Sequence, residues 1–377
     1  MEIALAVTPM TTTTAQMKNK VLVAMSGGVD SAVAALLCKE AGYDCIAVTM
    51  RLHTPGGADP ACCTSQDIED ARRVAEALHI PFEVKDMTGD FHHHVVEYFV
   101  SSYERGETPN PCIACNRYMK FDALLSYAKE LGCDYVATGH YARIEKSEDG
   151  IYRLLKGVNL QKDQSYVLYS LTQEQLSHVI FPLGEFASKE DIRTLAEAHN
   201  LPIAEKAESQ DICFVPDGDY AAFIEAYRGK TFPAGDFVDE AGNRLGTHQG
   251  IIRYTTGQRK GLGLSFPTPM YVKGKDVVAN TVILAQENAL FSTSLYARDM
   301  IWSSGIIPTA PISCTAKTRY HAKEVPALVT PLENGGARVD FEIPVRAVTA
   351  GQALVLYDGD TLLGGGTISH TTFRNEE

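Results

Sequence analysis

An apolar run, Val21-Leu22-Val23-Ala24-Met25, stops abruptly at Ser26-Gly27-Gly28-Val29-Asp30-Ser31 and gives way to a helix-forming run that reaches Ala41. No other stretch constrains the fold so tightly. The physical reading is a buried strand, a tight glycine turn, and a helix whose N-terminus faces that turn. Such a turn presents backbone N–H groups and the positive end of a helix dipole to an anion. Gly27 and Gly28 let the backbone come close to a phosphate, and Ser26 and Ser31 add hydroxyl donors. Asp30 is the odd member, because a carboxylate beside phosphate is repulsive unless it holds Mg²⁺ or an amine.

The chain continues in the same texture to about Thr138. Strands are expected at Val21–Met25, Cys45–Met50, Phe82–Lys85 and Tyr135–Thr138, and helices at Ser31–Ala41, Ser65–Leu78, Phe91–Arg105 and Arg117–Leu131. Apolar residues at three-to-four spacing, such as Ile68, Ala71, Val74, Ala75 and Leu78, give the helices one buried face. Strands alternating with helices imply a parallel, doubly wound sheet whose ligand site lies at the carboxyl ends of the strands. Met50 and Gly139-His140 fall at two further strand ends and converge on the first turn. The tract His92–His94 resembles a metal site only on paper. On a helix, side chains share a face at i, i+3 and i+4, so three in a row cannot converge; a solvated helix start is expected.

A hairpin is expected over 141–160, turning at Glu148-Asp149-Gly150. Lys162-Asp163-Gln164-Ser165-Tyr166 reads as an N-capping segment, Lys189–Asn200 as a helix, and Ser209-Gln210-Asp211-Ile212-Cys213-Phe214 as a short strand or loop carrying a thiol. Beyond Pro216 long helices disappear and glycine, proline and short alternating runs dominate. The expected architecture is therefore α/β: a disordered extension over 1–20, a catalytic domain over 21–218, a small central domain over 219–286, and a β-barrel-like domain over 287–377. Strands of the last are expected near Ile312–Tyr320, Ala327–Pro331, Ala337–Ile343, Ala353–Tyr357 and Thr361–Ile368.

With 377 residues, 45% of them hydrophobic, the chain has room for two or three cores, and no apolar run approaches the ~20 residues of a membrane span. Nine scattered cysteines suit a reducing, cytoplasmic setting with a few reactive thiols better than a disulfide framework. The net charge of −13 speaks against a protein coated in nucleic acid. Two islands qualify that: 253–275 carries Arg253, Arg259, Lys260, Lys273 and Lys275 without an acid, and 317–323 carries Lys317, Arg319 and Lys323 without one.

Among the thiols, Cys38, Cys45 and Cys133 fall on apolar faces, and Cys62-Cys63 takes no role. Asn110-Pro111-Cys112-Ile113-Ala114-Cys115-Asn116 joins two expected helices, which puts Cys115 just before a helix start, where the dipole favours a thiolate. Cys-x-x-Cys there has three readings: a redox disulfide, half of a zinc site, or two ligands of an iron–sulfur cluster. Cys213 stands alone between polar neighbours.

The Ser26–Ser31 turn lacks the Gly-Lys-[Ser/Thr] ending of a Walker loop. It resembles the pyrophosphate loop of enzymes that split ATP into AMP and pyrophosphate while adenylating an oxygen. Taken in order with the Asn110–Asn116 loop, Gly139-His140-Tyr141, Lys162–Tyr166, Ser209–Phe214, Thr256-Gly257-Gln258-Arg259-Lys260-Gly261-Leu262-Gly263, Lys317-x-Arg319-Tyr320 and Gly364-Gly365-Gly366, it resembles the bacterial tRNA-specific 2-thiouridylases over nearly the whole chain after residue 20. The resemblance implies transfer of sulfur to C2 of the wobble uridine of tRNA at the expense of ATP and Mg²⁺, with a sulfur-donor protein or persulfide relay as partner. By position, Ala24, Met25, Ser26, Gly27, Gly28, Val29, Asp30, Ser31, Met50 and Gly139 resemble the ATP contacts. Asn110, Pro111 and Cys112 match the segment that meets the target base. His140, Lys162, Asp163, Gln164, Arg319, Tyr320 and Gln352 match tRNA contacts, and Arg259 and Lys260 join them from the basic island. Cys115 matches the nucleophile and Cys213 the persulfide carrier, two thiols that can close into a disulfide. Many members have aspartate where this chain has Cys112. With Cys112, Cys115 and Cys213 together, the chain resembles the subset proposed to hold a four-iron cluster on three thiolates. Another adenylating ligase or amidotransferase acting on a small molecule is the alternative within the loop class.

Overall fold

The computed structural model describes residues 19–53, 64–203, 212–215 and 218–373. Nearly all of the expected N-terminal extension, Cys62-Cys63, and Ser209 to Asp211 lie outside the described residues. The chain forms two compact units: Met1–His94, Ile113–Pro216 and Asp360–Leu362 make the first, and Val95–Cys112, Asp217–Gly359 and Leu363–Glu377 the second. Residues 95–112, expected within the 21–218 domain, cluster with the second unit.

The first unit is built on a five-stranded sheet in the order β3-β2-β1-β4-β7. Its strands are β1 (Lys20–Ala24), β2 (Asp44–Arg51), β3 (Phe82–Asp86), β4 (Tyr135–Ala137) and β7 (Val179–Ile180), and every neighbouring pair is parallel. Parallel neighbours need crossovers. Here α1 (Val29–Glu40) and α2 (Ser65–Ala77) supply them on one side of β1, with α3 (Leu124–Glu130) running into β4. The chain steps outward from β1 to β3, then returns to lay β4 on the opposite side of β1, so the order reverses between β1 and β4. A crevice opens at the carboxyl ends of two strands where that happens. Every residue of α1 from Ser31 to Cys38 is buried. Its alanines let it lie close to the sheet, in a core with Val23, Ala47, Val74 of α2 and Ile192 of α4 (Lys189–Ala198). β7 went unforeseen because two residues carry no periodicity.

Two helices differ from expectation. The run 88–104 is continuous, with His92–Val96 forming a π-turn inside it rather than a helix start. His93 is exposed there and His94 stacks on Tyr118 with ring centroids 4.8 Å apart. The second begins earlier than Arg117: Pro111–Ala114 is already helical, and Cys115–Ala123 continues as a π-helical stretch into α3. The hairpin of β5 (Ala142–Lys146) and β6 (Tyr152–Lys156) turns where expected, with Asp149 accepting from Ile151 N at 3.1 Å.

The second unit holds two sheets. β8 (Gly235–Val238), β9 (Arg244–His248), β10 (Tyr271–Asp276) and β11 (Thr281–Ala285) pair in the order β10-β11-β8-β9. β12 (Phe291–Trp302), β13 (Ile312–Lys317), β14 (Val325–Pro331), β15 (Ala337–Arg346), β16 (Ala353–Asp358) and β17 (Thr361–Phe373) run β12-β15-β14-β13-β16-β17, and β12 pairs with β17 to close a six-stranded barrel. Closure leaves no sheet edge for another chain to extend. Leu295, Val329, Val339, Leu354, Leu356 and Ile368 fill its core. β12 is the barrel strand that sequence reading missed, since serine, threonine and charged residues interrupt its alternation. Among the described residues, no helix is long and apolar enough to cross a membrane.

The α/β class, the parallel sheet behind the glycine turn and the C-terminal barrel are thus as expected from the sequence. Gly27 offers the sharpest check of how the turn is held. Its φ is +73°, and a Cβ there would sit 2.4 Å from the Asp67 carbonyl oxygen at the start of α2. Gly42 is also left-handed, at φ +87°, but faces open space. Gly42→Ala should cost about 1 kcal/mol from backbone strain, and Gly27→Ala about 1–3 kcal/mol beyond that from the added clash. Urea unfolding reads both; equal losses would contradict the packing described.

Candidate active site

The turn after β1 is fastened from within and from the neighbouring strand. Ser31 Oγ donates to Gly28 O at 2.9 Å and accepts from Ser26 N at 3.2 Å, closing the loop on its own helix. Met25 N donates to Val48 O at 2.8 Å, and Thr49 Oγ1 donates to Met25 O at 2.9 Å, so β2 fixes where the turn begins. The first-turn amides of α1 have no intrahelical partners and face the open end of the sheet. Ser26 is exposed, Gly28 and Asp30 are half-buried, and Val29 and Ser31 are buried. Ala24 ends β1, while Met50 lies half-buried in β2, one residue before its end, because that strand runs on to Arg51. From β4 comes Gly139: a Cβ on it would lie 2.8 Å from the Asp30 carbonyl carbon and 2.9 Å from Ser31 N. Two strand ends therefore meet at the switch point with only a glycine's thickness between them.

Asp30 is the charged centre of this turn. Tyr141 Oη donates to Asp30 Oδ1 at 2.7 Å, and the Lys189 ammonium pairs with the same oxygen. Lys189 was missed in the sequence, although it left a signal. It is the first residue of α4, directly after the Ser188 cap, where the helix dipole disfavours a cation. His140 is buried, with Nδ1 2.6 Å from Thr138 Oγ1 and Nε2 3.4 Å from Lys120 Nζ. Burial, and then Lys120, push its pKa well below the usual histidine range, so the ring is neutral at pH 7. The ammonium beside Nε2 makes that nitrogen the acceptor and leaves the proton on Nδ1.

The thiols differ in setting. Cys38 and Cys45 are buried, and burial pushes the Cys45 thiol up to about 11, removing it as a nucleophile. Cys112 is exposed in the first turn of the helix that Pro111 starts, and its N–H is capped by Asn110 Oδ1 at 3.1 Å. Cys115 is half-buried one turn further in, so the expectation that it precedes a helix start is corrected: Pro111, preset for a first helical position, moves the start forward. Cys213 is exposed on a turn in which Val215 N donates to Ile212 O at 2.8 Å. Its neighbour Phe214 is buried against Phe91, centroids 5.8 Å apart, which anchors the turn. Among the described residues no three His, Cys, Asp or Glu side chains are gathered to hold a metal ion.

Several residues matched to RNA contacts have internal work. Asp163 is buried and accepts from Gly157 N at 3.0 Å, Ser165 N at 3.1 Å and Ser165 Oγ at 2.8 Å. Gln164 Oε1 accepts from Tyr141 N at 3.0 Å, bracing the strand-end tyrosine that holds Asp30, while Lys162 is half-buried. Within the second unit, Arg319 Nη2 lies 3.0 Å from Thr256 O and 2.7 Å from Ala347 O. Gln352 Nε2 donates to Thr108 O at 2.8 Å, and Thr108 N donates to Ala350 O at 2.9 Å. Glu107 bonds Arg298 at 2.9 Å and Arg105 at 3.0 Å. The barrel thus grips the segment that leads into Asn110. Half-buried Tyr320 lies beside the Lys317 ammonium, 5.9 Å from its ring centroid.

The first basic island is smaller in space than in sequence. Arg253 pairs with Glu225 at 2.6 Å and Lys273 with Glu240 at 2.9 Å. Lys275 is enclosed, its pKa pulled down to about 8 by burial, and donates to Tyr254 O at 2.8 Å. Acids from outside the window neutralise what looked unopposed. Arg259 and Lys260 remain exposed, without an ion pair among the described residues.

Three domain models match the chain: a tRNA methyl transferase HUP domain over residues 19–217, a tRNA methyl transferase PRC-barrel domain over 221–286, and an aminomethyltransferase beta-barrel domain over 292–368. A tRNA-specific 2-thiouridylase from Geotalea uraniireducens is 48% identical over 360 residues, covering 94% of this chain and 96% of that protein. One from Carboxydothermus hydrogenoformans is 49% identical over 359 residues, covering 93% and 98%. Among solved structures, a 4-thiouridine synthetase–RNA complex with bound ATP overlaps 53% of this chain and 46% of that one at 20% identity, with a TM-score of 0.37. On near-full-length identity of this order, the chain belongs to the tRNA-specific 2-thiouridylase family.

Proposed function

We propose that the protein forms 2-thiouridine in tRNA by adenylating O2 of the wobble uridine with ATP and then displacing AMP from C2 with sulfur carried on cysteine. The observation that supports this most is the meeting, at the β1/β4 reversal, of an amide-rich glycine turn, the Asp30 carboxylate and Gly139. That geometry suits a phosphate chain lying along the start of α1. Residues 24–31, with Met50 and Gly139, would hold ATP. Asp30, at the lip of the turn, would carry Mg²⁺ that neutralises the phosphates.

The uridine O2 attacks the α-phosphorus, and pyrophosphate leaves. Oxygen at C2 is a poor leaving group; as part of AMP it becomes a good one. The terminal sulfur of a Cys213 persulfide, supplied by a donor protein, adds at C2 and AMP departs, leaving the base joined to Cys213 through two sulfurs. The Cys115 thiolate attacks the Cys213 sulfur. The sulfur–sulfur bond breaks, its electron pair stays on the base as the 2-thio group, and Cys115 and Cys213 close into a disulfide that an external thiol reduces. Exposure of Cys213 on an anchored turn suits a group that must receive sulfur from another protein. Asn110, Pro111 and Cys112 are assigned to the target base, which must be turned out of the anticodon loop. His140, Lys162, Asp163, Gln164, Arg259, Lys260, Arg319, Tyr320 and Gln352 are assigned to tRNA, those with internal bonds acting by holding the contact surface in shape.

The alternative, an adenylating ligase for a small molecule, predicts pyrophosphate release that ignores tRNA. A tRNA thiouridylase releases pyrophosphate only when tRNA is present. Cys115→Ser and Cys213→Ser should each abolish thiolation while leaving tRNA-dependent pyrophosphate release measurable. Cys112→Ser should stay within a few-fold of the parent when prepared and assayed without oxygen. Complete loss in Cys112→Ser, with iron bound to the parent, would instead support the three-thiolate cluster.

A second outcome concerns RNA. If Arg259 and Lys260 meet phosphates, neutralising each should flatten the log–log dependence of tRNA affinity on salt by about one. Arg319→Ala should weaken binding with little change of slope, because its guanidinium is spent on protein carbonyls. Filter binding at several salt concentrations decides; an unchanged slope in Arg259→Ala with Lys260→Ala places that stretch away from RNA.

A further inference from the structure

The segment that leads into Asn110 carries an acid whose partners come from two sheets of the second unit and from its own turn. The Glu107 side chain is only 13% exposed. One carboxylate oxygen bonds Arg298 of β12 at 2.9 Å, and the other bonds Arg105 at 3.0 Å. Lys275 of β10, which burial would discharge, is drawn back toward its charged form by the same carboxylate. The backbone on either side is held as well. Glu107 N donates to Ser102 O at 2.9 Å and Thr108 N to Ala350 O at 2.9 Å. A Cβ on Gly351 would lie 2.9 Å from Thr108 N, so barrel and segment touch backbone to backbone. Upstream, Arg228 pairs with Glu97 at 2.6 Å and Glu104 at 2.8 Å, and the rings of Tyr103 and Tyr220 stack 4.7 Å apart. Downstream lies Thr108-Pro109-Asn110-Pro111. Each proline fixes its own φ and restricts the residue before it, so this stretch is a short, stiff link. Residues 95–112 accordingly cluster with the second unit, which also carries Arg259, Lys260, Arg319, Tyr320 and Gln352, whereas Ile113–Pro216 clusters with the first.

We propose that Glu107 is a positioning residue for the target base: by tying its segment to Arg298 on β12, it makes Asn110, Pro111 and Cys112 part of the surface that holds tRNA. The inference rests on the reading that these three residues meet the wobble uridine. A tRNA held on the second unit then finds the residues that receive its turned-out base at a fixed offset. The tie sets position rather than affinity. Glu107 faces protein cations, and a carboxylate would repel an RNA phosphate, so its loss leaves the tRNA-binding charges in place. What is lost is the bond to the barrel, whereas glutamine keeps the shape of the side chain. A reacting group displaced by about 1 Å costs on the order of 100-fold in rate. Arg105 supplies the internal comparison. It lies two residues from Glu107, so its bond fastens the segment to itself and not to the barrel.

Steady-state pyrophosphate release and tRNA filter binding in the full-length parent, Glu107→Gln, Arg298→Met and Arg105→Met test this. At saturating tRNA, kcat should fall roughly 10–100-fold in Glu107→Gln and in the same direction in Arg298→Met, with the Kd for tRNA within about two-fold. Arg105→Met should stay close to the parent in both. Base position is read directly with a tRNA carrying 2-aminopurine on the 3′ side of the wobble uridine, whose fluorescence rises when its neighbour leaves the stack. With all tRNA bound, that rise should be kept in the parent and Arg105→Met and largely lost in the other two. Four results overturn the proposal and leave the reading of residues 110–112 standing: a raised Kd with kcat kept, equal damage in Arg105→Met, a lowered kcat with the fluorescence rise intact, or no change in any variant. A parent without tRNA-dependent release removes that reading, and the proposal with it. Thermal melts identify a variant that does not fold. Glu107→Gln and Arg298→Met remove opposite ends of one bond, so either of them carries the comparison.

Discussion

Hydrogen bonds around one serine hydroxyl set the geometry of the turn around which the first unit is arranged. Ser31 Oγ bridges Gly28 O and Ser26 N, so the glycine turn closes on the helix it begins. That closure leaves the first amides of α1 pointing out of the sheet, and it works because β2 holds the turn's entry through Thr49 and Val48. Gly27 accepts the carbonyl of Asp67 against its α-carbon, and Gly139 does the same for the backbone of Asp30 and Ser31. A β-carbon at either position would push the turn away from the strand ends. The parallel sheet, the reversal of strand order and the burial of α1 all bear on this one small region.

Charge is handled with similar economy. A chain of net charge −13 that handles two polyanions, ATP and tRNA, must keep its cations where they are needed. Ion pairs with Glu225 and Glu240 silence Arg253 and Lys273, and enclosure lowers Lys275. Arg259 and Lys260 are left exposed. In the first unit, Lys189 is paired rather than free, and His140 is held neutral.

Much of this was legible in the sequence, for reasons that can be stated. The Val21–Ser31 run announces strand, turn and helix because glycine, β-branched and small helix-forming residues each permit few alternatives. Gly139 and His140 were legible as strand-end residues for the same reason. Other features were not. The start at Pro111 displaced the expected helix boundary at Arg117, since a proline directly before a Cys-x-x-Cys run reads equally as loop or as first helical turn. β12 hid behind its serines and charged residues, because a barrel strand shows only every second residue to its core. Lys189 could not be paired with Asp30 from a distance of 159 positions, nor could Glu225 be matched with Arg253. Sequence windows report composition, whereas neutralisation is decided by neighbours in space. Internal roles for Asp163, Gln164, Arg319 and Gln352 were invisible for the same reason.

The central claim is that oxygen leaves the uridine as part of AMP. Position-specific ¹⁸O labelling of the wobble uridine at O2, followed by mass spectrometry of the nucleotide products, tests it most directly. The account predicts one ¹⁸O in the phosphate of AMP for each 2-thiouridine formed, and none in pyrophosphate. Label found in water or in pyrophosphate, with unlabelled AMP and normal thiolation, would contradict it.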